Sequence, residues 1–239
     1  MTERRFRVEG PWATGARVAL GPQAAQHAKV LRLGPGDAVV LFDGRGAEAD
    51  ATLERDGDAL VARIARVRAQ VEPWHVVLVV GLPKAPALEQ LLRAATEAGA
   101  SELRLFVAER SVVQAEGDRA AKKLERWRRI VEEAARQAER TRVPELSLHA
   151  GLRAALADSP CEALVALDAR AGVDVREALA PRVGSRALVV GPEGGLAPQE
   201  LSLVVGHGGV VARAALPVMR VETAAPVLTA LAVLSVAPR

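Results

Sequence analysis

The residues whose types and spacing best suit a small ligand form one stretch, Gly191-Pro192-Glu193-Gly194-Gly195-Leu196-Ala197-Pro198-Gln199-Glu200. Three glycines in five positions allow positive φ angles and let a ligand approach the backbone without meeting a Cβ. The apolar run Ala187-Leu188-Val189-Val190 before it reads as a buried strand, and Pro198 suits the first turn of a helix. A glycine turn between a strand's carboxyl end and a helix start, where backbone N–H groups point outward, is a common ligand position. The glycines alone serve a bare strand–helix turn equally well. Cations offer a second chemistry. His27, Lys29 and Arg32, with Arg5 and Arg7, could meet phosphates, as could Arg126 and Arg129. An ordinary solvated face would hold the same residues. Metal chemistry is not indicated. The four histidines, His27, His75, His149 and His207, show no ligand spacing, and Cys161 is the single cysteine.

Two kinds of pattern position these residues, and they change over near residue 72. Before it, short β-rich runs at 38–42, 47–54 and 60–67 alternate with turns at Asp43-Gly44 and Asp56-Gly57, around one helix near Gln23–Val30. This predicts a small β-barrel over residues 1–72. Glu72-Pro73-Trp74-His75 reads as a linker. After it, apolar runs at 76–80, 103–107, 163–167, 187–190 and 210–214 alternate with helical spacing. Leu88, Leu91, Leu92, Ala95 and Ala98 mark one helix ending at Gly99, a long helix runs from near Asp118 to Arg140, and Ala224–Val236 is apolar almost all round. The pattern over 73–239 predicts an α/β domain with a mainly parallel sheet.

Composition narrows the function classes. The chain has 239 residues, half of them hydrophobic, and a net charge of only +3, so any basic surface must come from local clustering. The long helix has eight Lys/Arg against five Asp/Glu, which suits either an RNA-facing surface or ion pairs one turn apart. Tyrosine is absent and Phe and Trp number three each, which argues against a platform of stacked bases. No apolar run approaches a membrane span, and none of signal-peptide type follows Met1-Thr2-Glu3-Arg4-Arg5. The cytoplasm is the expected compartment.

Several stretches, taken in order, carry a resemblance. His27-x-x-x-Leu31-Arg32-x-x-x-Gly36-Asp37 comes first. Thr96-Glu97-Ala98-Gly99 leads to Glu109-Arg110-Ser111-Val112-Val113, and Trp127-x-x-Ile130 leads to Glu133-Ala134-Ala135-x-Gln137-x-x-Arg140 and Pro144. Gly191-Pro192-Glu193-Gly194-Gly195 and Met219-Arg220-Val221-Glu222-Thr223-Ala224 complete the set. Over almost its whole length the chain resembles the ribosomal RNA small-subunit methyltransferase E family, uridine-N3 methyltransferases of the SPOUT class. It departs from the family pattern at Glu139, where glycine is usual, at Val221, where threonine is usual, and at Ala94 and Pro217, where cations are usual.

The resemblance implies a SPOUT-type α/β domain with a C-terminal trefoil knot over residues 73–239, and a PUA-like β-barrel over 1–72 that holds RNA. It implies S-adenosylmethionine bound in the knot, between the Gly191 loop, the loop after Leu167 and the segment Leu216–Ala224. The implied cofactor contacts are Leu167, Gly191, Glu193, Gly194, Gly195 and Leu196, with Leu216, Val218, Met219 and Thr223 from the later segment. It further implies a homodimer with the knot at its interface, no metal, no membrane, and small-subunit ribosomal RNA or the assembled small subunit as substrate. In that setting the uridine N3, a poor nucleophile while protonated, needs its developing negative charge stabilised. Arg220 suits that role because it stays charged. Glu222 could take the proton, orient Arg220, or act as a first-turn carboxylate on a helix dipole. Thr223 fits an N-cap. A SPOUT ribose 2′-O-methyltransferase and a non-catalytic RNA-binding assembly module are the alternative readings.

Overall fold

The computed structural model describes residues 4–69, 72–111, 118–157, 161–180 and 184–236. Val112 and Val113, part of one family-like stretch, lie outside the described residues. The chain divides into two compact units, one of Met1–Val71 with Ala135–Val143, the other of Glu72–Ala134 with Pro144–Arg239. A short piece from the middle of the chain therefore packs with the first unit.

The first unit contains β1 (Arg5–Arg7), β2 (Arg17–Ala19), α1 (Gly21–Val30), β3 (Ala38–Phe42), β4 (Ala47–Asp56) and β5 (Ala59–Ala69). The strands pair in the order β1-β3-β4-β5-β2, with β1 parallel to β3 and the rest antiparallel. Strand β4 alternates, burying Ala49, Ala51 and Leu53 while the residues between them are partly exposed, the period of a half-buried strand. Its hairpin to β5 pairs Asp56 with Ala59 across two residues, and Gly57 takes the positive φ of 59° that such a turn demands. Ala24 and Ala28 of α1 join Phe6, Leu41, Leu53 and Ile64 in one core. Small residues on the helix let it lie close to the sheet.

The second unit contains β6 (His75–Gly81), α2 (Ala85–Glu97), β7 (Glu102–Phe106), α3 (Asp118–Gln137), β8 (Glu145–His149), α4 (Leu152–Leu156) and β9 (Ala163–Leu167). After these come β10 (Val173–Asp174), α5 (Val175–Ala178), β11 (Ser185–Val190), α6 (Pro198–Gly206), β12 (Val210–Arg213) and α7 (Val221–Ser235). Its sheet runs β10-β12-β9-β11-β6-β7-β8, every pairing parallel. Central strand β6 is buried throughout Val76–Val80, as a strand covered on both faces must be.

Strand β11 carries an unusual anchor. Arg186 is fully buried, and its guanidinium donates to the carbonyls of Leu179 (3.1 Å) and Ala232 (2.9 Å) and to the Ser235 hydroxyl. Burial pushes its pKa below the usual arginine value, and Glu162 opposes that shift. One charge thus ties the sheet to the end of α5 and the last turn of α7.

Four helices end in the same paired hydrogen bonds around a left-handed residue. After α2 and α6 that residue is Gly99 or Gly208, as such a cap prefers. After α1 it is Arg32, with φ 56°, and after α3 it is Glu139, with φ 55°. At the α3 end, Arg140 N–H donates to Ala135 C=O (2.9 Å) and Glu139 N–H to Arg136 C=O (3.3 Å), so the helix stops at Gln137 short of the expected Arg140. A β-carbon in this conformation costs about 1–2 kcal/mol, which glycine avoids. Glu139 is exposed, so Glu139→Gly is expected to raise the thermal midpoint by roughly 2–4 °C. A lower midpoint by calorimetry would mean that the Glu139 side chain outweighs its backbone strain.

Candidate active site

Strands β6 and β11 run in register, with Val190 opposite Val80. Gly81 ends β6, and Gly191 follows β11. A Cβ on Gly191 would lie 2.6 Å from both Gly195 C and Leu196 N, and one on Gly81 would lie 2.6 Å from Pro192 Cδ. The 191–195 loop therefore folds back onto its own strand end, closed by Gly195 N–H donating to Pro192 C=O at 2.8 Å. Gly195 has φ +71°. Other elements pin the loop. Lys84 N–H donates to Glu193 Oε1 (3.2 Å), and Arg110 Nη1 donates to Gly194 C=O (3.0 Å). The buried Glu200 accepts from Ala197 N–H (2.8 Å) and Glu109 N–H (3.1 Å), fixing the start of α6.

Beside this loop, at the carboxyl ends of β9, β11 and β12, opens a cavity of about 990 Å³. Leu167, Gly191, Glu193, Gly195, Leu216, Val218, Met219, Arg220 and Glu222 all line it. Residues from three separate stretches of sequence thus converge. Gly194, Leu196 and Thr223 stand outside the lining. Leu196 is only 1% exposed and packs in the sheet core with Val189 and Val204, so it serves the fold. Thr223 is not the N-cap. Helix α7 begins at Val221 with Arg220 as its cap, and Thr223 is an exposed third residue whose N–H donates to Arg220 C=O at 3.0 Å. Buried Val221 anchors the earlier start, where burial outweighs the hydroxyl's capping preference.

Two lining residues, Asp168 and Arg213, were not anticipated. The signal for Asp168 was its place just past an apolar strand, where α/β ligands sit. Its carboxylate is held below the usual range first by the Arg170 guanidinium, at 3.2 and 3.1 Å, and then by the Arg170 N–H. Among the described residues, Arg220 and Glu222 have no hydrogen-bonded or ion-paired side-chain partner, so Glu222 does not orient Arg220 through a direct bond. The open guanidinium stands at a helix N-terminus, itself a positive pole. The arrangement suits a ligand on which negative charge develops. The cavity offers bare backbone at Gly191 and Gly195 with apolar Leu167, Leu216 and Val218, a fit to a nucleoside cofactor with an aliphatic tail.

The cations read as RNA contacts separate into groups. Arg5 is withdrawn from that set. It is 6% exposed, ion-paired with Glu48, donates to Arg140 C=O at 3.0 Å and lies over the Phe42 ring. His27 meets Phe6 edge to face at 5.5 Å, a packing role. Arg7, Lys29 and Arg32 are exposed. Arg126 pairs with Glu89 at 2.8 Å and Arg129 with Glu125 at 2.5 Å, both on the surface, where such pairs are weak and phosphate can compete.

Comparison with known proteins identifies the family and the fold. A model of RNA methyltransferase domains matches residues 70–234, and one of RNA methyltransferase PUA domains matches residues 20–65. The chain is 38% identical over 238 residues to Ribosomal RNA small subunit methyltransferase E of Mycobacterium bovis, covering 95% of this chain and 90% of that protein. It is 30% identical over 216 residues to the protein of the same name from Bacillus subtilis, covering 85% and 84%. The structure of Ribosomal RNA small subunit methyltransferase E from Neisseria gonorrhoeae, bound to S-adenosyl methionine, matches with a TM-score of 0.86 at 27% identity over 95% of each chain. A Legionella pneumophila protein solved with the cofactor SAM matches with a TM-score of 0.84 at 30% identity, over 97% of this chain and 96% of that one.

The loop geometry ranks its three glycines. Gly191→Ala meets the backbone of Gly195 and Leu196 and should cost at least about 2 kcal/mol and abolish ligand binding in the cavity. Gly195→Ala, strained but in open space, should cost about 1 kcal/mol. Gly194→Ala meets Arg110 Cβ at 3.2 Å and its carbonyl at an ordinary 3.7 Å, a crowding that a small shift relieves, and should change stability by no more than about 0.5 kcal/mol. Thermal unfolding of the three variants checks the order, and Gly194→Ala proving the most damaging would overturn it.

Proposed function

This chain belongs to the ribosomal RNA small subunit methyltransferase E family, and on that premise we propose that it methylates N3 of a uridine in small-subunit ribosomal RNA with S-adenosylmethionine as donor. The observation that carries the reading is the cavity itself, which gathers the Gly191 loop, the end of β9 and the start of α7 around one space. The cofactor-binding set is Leu167, Gly191, Glu193, Gly195, Leu216, Val218 and Met219, with Asp168 added. Bound S-adenosylmethionine supplies an electrophilic methyl group. The chain's own residues must then manage the base. As the N3 proton leaves, negative charge spreads onto the ring carbonyls; that charge would be consumed when N3 takes the methyl carbon and the methyl–sulfur bond breaks, its electron pair staying on the neutral thioether. Arg220 and the first N–H groups of α7 meet that charge. Glu222 faces the same cavity and is the candidate acceptor for the N3 proton.

The first unit, which matches the PUA model, holds the RNA in this reading. No helix among the described residues is long and apolar enough to cross a membrane, and no cluster of metal-binding side chains occurs among them. The cytoplasm, where ribosomal RNA is modified, is the proposed compartment. A homodimer and a trefoil knot belong to the same proposal. Helix α7 buries Val221, Ala225, Leu228 and Ala232, yet Leu234 remains 81% exposed and Val218 94%. A second copy would cover that apolar surface. Light scattering at micromolar concentration should give twice the chain mass, and a monomeric mass would exclude the dimer. A crystal structure tracing 210–236 would decide the knot.

The chemical role of Arg220 is testable separately. Arg220→Ala should bind S-adenosylmethionine almost normally and slow single-turnover methylation of unmodified small subunits on the order of a hundredfold or more. Arg220→Lys keeps the charge without the planar fork and should recover part of the rate. Raising the pH should help the alanine variant more than the wild type, because hydroxide then shares the deprotonation. A near-wild-type rate, or a defect confined to cofactor affinity, would make Arg220 a structural residue.

A further inference from the structure

Two arginines of the first unit face each other in a way that ordinary stability does not explain. The turn Asp43-Gly44-Arg45-Gly46 is bonded to the segment 141–143 by Gly46 N–H to Thr141 C=O (3.2 Å) and Val143 N–H to Gly44 C=O (3.0 Å). These bonds bracket Arg45 and Arg142, which form an antiparallel bridge. Bonds on either side, none between, make this the close type of cross-strand pair, with Cα atoms about 4.5 Å apart and side chains on one face. Like charges directly opposite each other in such a pair are destabilising. Both arginines are exposed, and among the described residues neither side chain has a hydrogen-bonded or ion-paired acid. The neighbouring carboxylate, Asp43, has its Oδ1 engaged by the N–H groups of Arg45 (2.7 Å) and Ala47 (3.0 Å). Gly44 has φ +79°, and a Cβ there would lie 3.1 Å from Arg7 Nε, so the bare turn lets a third guanidinium lie alongside.

We propose that Arg45 and Arg142, with Arg7 beside them, form a clamp for an RNA backbone phosphate. Guanidinium forks match phosphate oxygens in pairs, and an anion between the two arginines converts their repulsion into attraction. The register is set by backbone bonds, so the pair is held open and does not collapse onto an acid. Neither Arg45 nor Arg142 stands out in the sequence, because they are far apart and meet only when 135–143 packs with the first unit. The assignment rests on the RNA-methyltransferase reading and adds a location for the substrate backbone.

The experiment uses the full chain and an unmodified transcript of small-subunit ribosomal RNA. Binding is measured over a series of KCl concentrations for wild type, Arg45→Gln/Arg142→Gln and Arg45→Glu/Arg142→Glu. Both double variants should bind more weakly at low salt. The slope of log affinity against log salt should shrink by roughly 0.7 to 0.9, the value for one lost phosphate contact. Affinity for S-adenosylmethionine, read by calorimetry, should stay the same. Without RNA, the glutamine variant should melt no lower than wild type, since it loses only a repulsion. A wild-type slope in the variants would remove the clamp and leave the functional reading intact. Unchanged affinity for the transcript with weaker binding to assembled small subunits would assign the pair to an acidic protein surface instead, and overturn the phosphate. A wild-type protein that binds no RNA at any salt would sink the functional reading and the clamp together.

Discussion

Two glycines side by side at the carboxyl edge of the parallel sheet set the shape of everything above them. Gly81 leaves room for the Pro192 ring, and Gly191 leaves room for the backbone of Gly195 and Leu196. Because both follow residues paired in register, the ends of β6 and β11 open together. The returning loop then buries Leu196 and Ala197 in the core and aims Glu193 at the cavity. Interiors packed at crystal-like density transmit such a contact directly, since no void exists to absorb a shift. The site is therefore built on the tightest part of the unit, although its lining is mostly loop.

The charges around that space divide by whether they are already satisfied. Glu193 accepts a backbone bond, Asp168 is locked by Arg170, and Glu200 joins two backbone segments beneath the loop. Those groups hold the walls. Arg220 is different: it sits at a helix start where a cation is unfavourable, and among the described residues no carboxylate is ion-paired with it. Local electrostatics placed against the helix dipole make sense where a ligand brings the missing negative charge.

Much of this was legible in the residues. The run Val76–Val80 in β6 read as a buried strand because a strand covered on both faces needs no polar positions, and the apolar runs of β7, β9 and β11 read as further strands of the same sheet. The glycines of the Gly191 loop read equally as a bare strand–helix turn or a ligand turn, and only the family resemblance favoured the ligand. Strands β1 and β2 were not foreseen, since three residues are too few to show a period. Strand β8, Glu145–His149, was missed because it alternates at a sheet edge beside a proline. Arg5 could not be read as internal, because its partners Glu48 and Arg140 lie far along the chain. The same limit hid the packing of Ala135–Val143 with the first unit. Local pattern reports what a segment is, while only the fold reports whom it meets. The usual glycine replaced by Glu139 is the converse case: a sequence oddity whose meaning is a left-handed backbone angle.

Arg186 has a consequence for biosynthesis. Its guanidinium is buried in β11, yet two of its acceptors, Ala232 and Ser235, lie at the end of α7, 46 and 49 residues further along the chain. A ribosome releases a chain from its N-terminus, so β11 leaves the exit tunnel before the end of α7 does. Until Ala232 and Ser235 emerge, Arg186 cannot be enclosed without leaving a charge unmet in an apolar layer, which is costly. The first unit faces a milder form of the delay, since it lacks only Ala135–Val143. Closure of the second unit around Arg186 thus waits for α7, and a product cut short before that helix would lack the means to bury its own sheet.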